Sequence, residues 1–260
     1  MPDKKQTSRK EQSKVASESN RDNPVSKKWW KYLLESLMLF IAVALGFLSD
    51  NLREQFVDRK KEKQYILSML EDLKQDTLSI RQNIDFWQAR IKGIDSLRHF
   101  LKPPLNPENG VTLYRLLWKM YDFTDLKYHD ETIQQLKSGN FGLLKNQHVV
   151  TELVNYDLLI HNQYYYIEQS TRDQYIYLRH LQHELVDADN FTISSEWTFK
   201  PDLSFHFFIK NDADKIFNYT NELFNYKHFA SVLIVNDKNL LQTASKLIYL
   251  IHKEYPKLVN

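Results

Sequence analysis

Apolar positions recur every three to four residues through most of this chain, and that spacing predicts a mostly α-helical protein. The first apolar block is different, because it has no polar face. It comprises Leu33, Leu34, Leu37, Met38, Leu39, Phe40, Ile41, Ala42, Val43, Ala44, Leu45, Gly46, Phe47 and Leu48. Counted back to Tyr32 it is about 17 residues, the short limit for a helix that spans a bilayer. The uncharged run Ser36–Ser49 taken alone also fits a buried helix or a signal-peptide core. Two features favour the span. Trp29, Trp30 and Tyr32 stand where an interfacial aromatic belt belongs, and no small-x-small cleavage site follows the run. Glu35 lies one turn inside the edge, within reach of headgroups. One transmembrane helix is expected over residues 29–50.

The strongest periodicity follows it. Ile66, Leu70, Leu73, Thr77, Ile80, Ile84, Trp87, Ile91, Ile94, Arg98 and Leu101 alternate by four and three, and nine of the eleven are apolar. Between them lie Glu71, Asp72, Lys74, Gln75, Asp76, Arg81, Gln82, Asp85, Arg90 and Lys92. This predicts a long amphipathic helix with a coiled-coil-like seam. The seam has two readings: dimerisation, or packing inside its own domain.

Lys102-Pro103-Pro104 ends that helix, because proline keeps the preceding residue out of the α region. A helix restarts over residues 108–126, and Asp130–Leu136 form a short one that stops at Ser138-Gly139-Asn140. A second long helix is expected over about Asn146–Asp187, with Val149, Leu153, Tyr156, Ile160, Tyr164, Ile167, Leu178, Leu181 and Leu185 as its buried stripe. Residues 190–210 alternate by two around Lys200-Pro201-Asp202, the pattern of a small β-hairpin. Residues 212–224 and 226–255 then read as two helices, the second with Phe229, Leu233, Leu240, Ala244, Leu247 and Ile251 on one face. The fold class is therefore mostly α: one transmembrane helix, then a long-helix bundle domain over residues 51–260.

Charge adds orientation. Residues 1–28 are polar and read as a disordered basic tail. Lys and Arg near the span are almost balanced, with Arg21, Lys27, Lys28 and Lys31 before it and Arg53, Arg59, Lys60, Lys61 and Lys63 after it. The short basic tail is the harder piece to move across, so the tail is expected in the cytoplasm and the domain outside. A net charge of +2 argues against a nucleic-acid partner.

Candidate chemistry is sparse. The absence of cysteine excludes disulfides, thiolate catalysis and cysteine-ligated metal. Five glycines, with no Gly-x-Gly-x-x-Gly, Walker loop or Gly-x-Ser-x-Gly, leave no motif for phosphate cradling or acyl transfer. His180, His183 and Glu184 share one helical face and form the best metal-ligating candidate, although their order is not that of a zinc protease. The alternative for them is an ordinary solvated cluster. Tyr164, Tyr165, Tyr166, Tyr175 and Tyr177 offer a stacking platform or simply core and surface packing. No cofactor is expected. The expected partners are the lipid bilayer and a protein partner or second copy. The leading reading is a non-enzymatic, membrane-tethered domain for partner interaction, scaffolding or sensing. A ligand-sensing bundle ectodomain and a metal-dependent enzyme are the alternatives.

Two stretches carry a resemblance. One is Lys31-Tyr32-Leu33-Leu34, the apolar run, then Asp50-Asn51-Leu52-Arg53-Glu54 and Lys60-Lys61-Glu62-Lys63-Gln64-Tyr65. The other is Thr132-Ile133-Gln134-Gln135-Leu136-Lys137-Ser138-Gly139-Asn140-Phe141-Gly142-Leu143-Leu144-Lys145-Asn146. Together they resemble the small single-span membrane proteins of unknown function found widely in the Bacteroidetes, which carry a Leu-x-Ser-Gly-Asn-x-x-Leu-Ile element between helices. The resemblance implies a membrane anchor and a helical domain over residues 30–255. It brings no catalytic residue, and the span here is shorter and more polar at its edge than that family leads one to expect.

Overall fold

Long stretches without glycine or proline let helices run far in this chain. The computed structural model describes residues 24–186, 191–193, 199–201 and 212–259. The first helix, α1, covers Pro24–Phe100. Residues 24–28, read from the sequence as the end of the tail, form its first turn, and the rest of the tail lies outside the described residues. The double proline stops it as expected, with Leu101 N–H still bonded to the Leu97 carbonyl at 3.0 Å.

The chain divides into two units, residues 1–59 and 60–260. In the first, α1 is the one helix among the described residues long and apolar enough to cross a membrane. Its apolar side chains are exposed around the whole circumference, from Leu33 to Leu48, with only Ala44 half-buried.

In the second unit, α1 is joined by α2 (Gly110–Lys119), α3 (Glu131–Gln135), α4 (Gln147–Leu158), α5 (Tyr165–Leu185), α6 (Ala213–Glu254) and α7 (Pro256–Val259). Helix α4 starts where the Asn146 side chain accepts from the His148 and Val149 amides. A single π turn, Leu159–Tyr164, joins α4 to α5. The stripe reaches Tyr164 as expected, and beyond the extra residue of this turn it moves by one position. The stripe otherwise holds as expected, except that Ile167 and Leu181 are half-buried while Glu168 and Gln182 beside them are buried.

Three segments differ from the sequence expectation. Helix α2 stops at Lys119, not at residue 126, and the chain then runs without regular structure to Asp130. Helix α6 is one helix of 42 residues, because nothing near Asn225 breaks it, and the Asp212 side chain caps it by accepting from the Asp214 and Lys215 amides. Near residue 200, a short antiparallel pair joins β1 (Phe191–Ile193) to β2 (Phe199–Pro201), with Thr192 opposite Lys200. Lys200 and Pro201 thus lie in a strand where the alternation placed a turn, and 202–210 lie outside the described residues. Gly139 has φ +117°, the left-handed geometry expected after the short helix.

The seam of α1 is filled within its own domain. Ile66, Leu70, Leu73, Ile80, Ile84, Trp87 and Ile94 are buried and Ile91 is half-buried. Its second row, however, lies one residue off the expected one. Alongside Ile66, Leu73, Ile80, Trp87, Ile94 and Leu101, the row Glu62, Met69, Asp76, Asn83, Arg90 and Leu97, again seven apart, is buried throughout, whereas of the expected row only Leu70 and Ile84 are. Asp76 and Arg90, placed on the solvent side by polarity, are core residues. Trp87 sits at the middle, edge-on to Phe123 at 5.5 Å and to Tyr226 at 6.2 Å. Replacing Trp87 with alanine should therefore cost about 3–5 kcal/mol. Equilibrium denaturation of the full chain in nonionic detergent measures this, and a loss below about 1 kcal/mol would contradict the packing.

Candidate functional site

An irregular segment lying over a bundle has backbone donors and acceptors that no helix satisfies. Residues 120–130 form such a strap, and the charged and polar core residues meet it. Arg90 donates to the carbonyls of Lys119 and Asp122. Tyr175 Oη donates to the Tyr121 carbonyl at 2.6 Å. Glu168 Oε1 accepts from the Leu126 amide at 2.8 Å, and Asp76 Oδ1 accepts from the His129 amide at 2.7 Å. Gln182 Nε2 donates to the Leu117 carbonyl at 3.1 Å while its oxygen accepts from Tyr219 Oη at 3.0 Å. The same arrangement recurs at Glu62, which accepts from the Lys145 amide and from Tyr255 Oη, each at 2.9 Å.

Burial raises the pKa of Asp76 and Glu168, and the amides that donate to them pull it partly back. Tyr156 Oη completes the Asp76 carboxylate at 2.8 Å. Beneath the strap, Asp72, Asp76, Tyr156, Asp157 and His161 border a cavity of about 20 Å³. That is room for one water molecule and too little for an organic ligand. Lys137 pairs with Asp157 there, and His161 Nδ1 lies 3.3 Å from the same carboxylate.

One buried cluster serves no strap backbone. Asn83 of α1 donates to Tyr164 Oη at 2.7 Å and to Asp237 Oδ2 of α6 at 3.1 Å, and Asn83 Oδ1 has no partner. Tyr164 also bonds to the Asp237 carboxyl. Asp237 is fully buried with no cation beside it among the described residues, so desolvation pushes its pKa up to about 7. A buried carboxyl raised toward neutrality, at the meeting of three helical elements, is a group whose charge pH can change.

The residues singled out from the sequence fall elsewhere. His180, His183 and Glu184 are all exposed. His183 stacks on Tyr121 with ring centroids 5.9 Å apart, and Glu184 pairs with Lys215 at 3.0 Å. Among the described residues no group of three His, Asp or Glu is placed to hold a metal ion. The tyrosines disperse: Tyr164 and Tyr175 enter the core, whereas Tyr165, Tyr166 and Tyr177 are exposed. Asp76, Asn83, Arg90, Glu168 and Asp237 were not marked by any motif. Their signal is spacing: Met69, Asp76, Asn83, Arg90 and Leu97 are seven apart, and Asp237 is seven from both Ala230 and Ala244.

The neutral form of Asp237 is favoured by folding, so its contribution is full below about pH 4 and is lost as pH rises through about 7. Wild type should be more stable at pH 5 than at pH 8, by roughly 2–4 kcal/mol from this group. Asp237→Asn should flatten that difference. Denaturation midpoints at the two pH values measure it, and an equal pH dependence in the variant would remove Asp237 as the cause. Compared with protein-family models, with curated proteins and with solved structures, the chain has no match in any of the three.

Proposed function

We propose that this chain is a single-pass membrane protein, anchored by Leu33–Leu48, whose helical domain is a non-enzymatic module for partner interaction, scaffolding or sensing. The supporting observation is the uncovered apolar helix. The large apolar side chains between Leu33 and Leu48 are each 46–74% exposed. Left in water, they would forgo on the order of 10 kcal/mol or more of burial free energy. Lipid supplies that cover, and a helix satisfies its own backbone groups within hydrocarbon. The likeness to single-span proteins of the Bacteroidetes belongs to the same proposal. So does the orientation, with the basic tail in the cytoplasm and the domain outside.

A sensing role draws support from the buried Asp237 carboxyl, whose pKa burial pushes up to about 7. Reading the domain as an enzyme has no such support, since His180, His183 and Glu184 are exposed, His183 stacks on Tyr121 and Glu184 pairs with Lys215.

The full chain is expected in the membrane fraction of lysed cells, released by detergent and not by high salt. Ile41→Arg, which adds about 2.5–3.5 kcal/mol to insertion, should shift a large part of it out of that fraction. Alkaline phosphatase fused to the C-terminus should be active if the domain is outside. A wild-type chain that is soluble without detergent would overturn the proposal, and an inactive fusion on a membrane-bound chain would reverse the orientation alone.

A further inference from the structure

Between α1 and the end of α2 lies a cleft of about 530 Å³. Pockets that hold small organic molecules span roughly 300–1,000 Å³. Its floor is apolar, made by Phe86, Leu116 and Met120. Gly93 borders it beside Met120. Its charged groups are Arg90, Lys92 and Lys119 against a single acid, Asp122.

Among the described residues, none of the three cations pairs with an acid. Arg90 is a buried guanidinium, fixed by two backbone carbonyls and lying 5.1 Å from the centre of the Phe86 ring. Among the described residues it meets no carboxylate, and Lys92 and Lys119 likewise form no ion pair. Lys137, Lys215, Lys227 and Lys246 each hold an acid. Unneutralised cations around an apolar floor favour a ligand with an anionic head and an apolar body.

We infer that this cleft binds an amphipathic organic anion, its phosphate or carboxylate head among Arg90, Lys92 and Lys119 and its aromatic or aliphatic body on Phe86 and Met120. Arg90 is rigid and sets the position of the head, and the two exposed lysines add attraction. The inference goes beyond the membrane reading and does not rest on it. Both a free metabolite and the headgroup of an anionic lipid present this chemistry.

The probe is 1-naphthyl phosphate, titrated calorimetrically into the full chain held in phosphatidylcholine nanodiscs. Saturable one-site binding is expected, with 1-naphthol and inorganic phosphate each at least about tenfold weaker. The paired exposed substitutions Lys92→Glu and Lys119→Glu should weaken binding about tenfold or more while leaving the thermal midpoint unchanged. Ala89→Trp, on the exposed lip of the cleft, should weaken it by obstruction. Discs containing phosphatidylglycerol separate the sources: weaker apparent binding there identifies a lipid headgroup as competitor, and unchanged binding a free ligand. Absence of saturable binding, equal affinity for 1-naphthol, or equal affinity in the double-glutamate chain would overturn the site. None of these outcomes bears on whether the chain is anchored.

Discussion

Backbone amides and carbonyls taken out of water must find partners, a requirement met in the domain and, under the proposed anchoring, in the apolar segment. In the apolar segment the solution is a helix, which pairs its own groups and leaves an unbroken apolar surface. In the domain the difficulty lies at residues 120–130, where the chain is neither helix nor strand and yet packs inward at Leu126. There the partners are side chains. Arg90 and Asp76 come from α1, Glu168 and Tyr175 from α5, and each closes a specific backbone group. A charged group bonded this way is shielded from the usual penalty of burial, and removing it would leave a buried amide or carbonyl unpaired.

This explains why the core of α1 is polar in one row and apolar in the next. The row through Ile66, Leu73, Ile80, Trp87 and Ile94 packs against the other long helices. The row through Asp76, Asn83 and Arg90 spends its hydrogen bonds on the strap and on Asp237. Because these residues recur every seven positions, about 10 Å apart along the helix, the polar contacts form separate layers with apolar packing between them. Asp237 stands apart. It helps no backbone group, its partners are Asn83 and Tyr164, and its pKa near neutrality follows from that isolation.

Several helix ends were legible in the sequence because apolar spacing and proline placement decide them, although not the end of α2 or the continuity of α6. The end of α1 at Pro103, the long helical run from Gln147 to Leu185 and the glycine turn at Gly139 all follow from local chemistry. What could not be read was any feature set by a distant partner. Asp76 and Arg90 look like surface residues until the strap is beside them, and the strap looks helical because Met120 and Phe123 continue the apolar spacing of α2. The shift from Ile167 to Glu168 follows one extra residue in a π turn, which no pattern of residue types announces. His180, His183 and Glu184 had suitable spacing for a metal, but spacing on one helix does not supply the third side of a coordination shell. Instead Tyr121 and Lys215 draw two of them apart.

Amide hydrogen exchange on the full chain in lipid nanodiscs tests the common requirement most directly. The amides of Leu126 and His129 should exchange as slowly as those of the buried turns of α5 and α6. With the proposed span in lipid, the amides from Leu37 to Leu48 should be slower still. Exchange at Leu126 and His129 as fast as in an exposed loop would contradict the role assigned to Glu168 and Asp76. Rapid exchange across Leu37–Leu48 would contradict the lipid-covered helix.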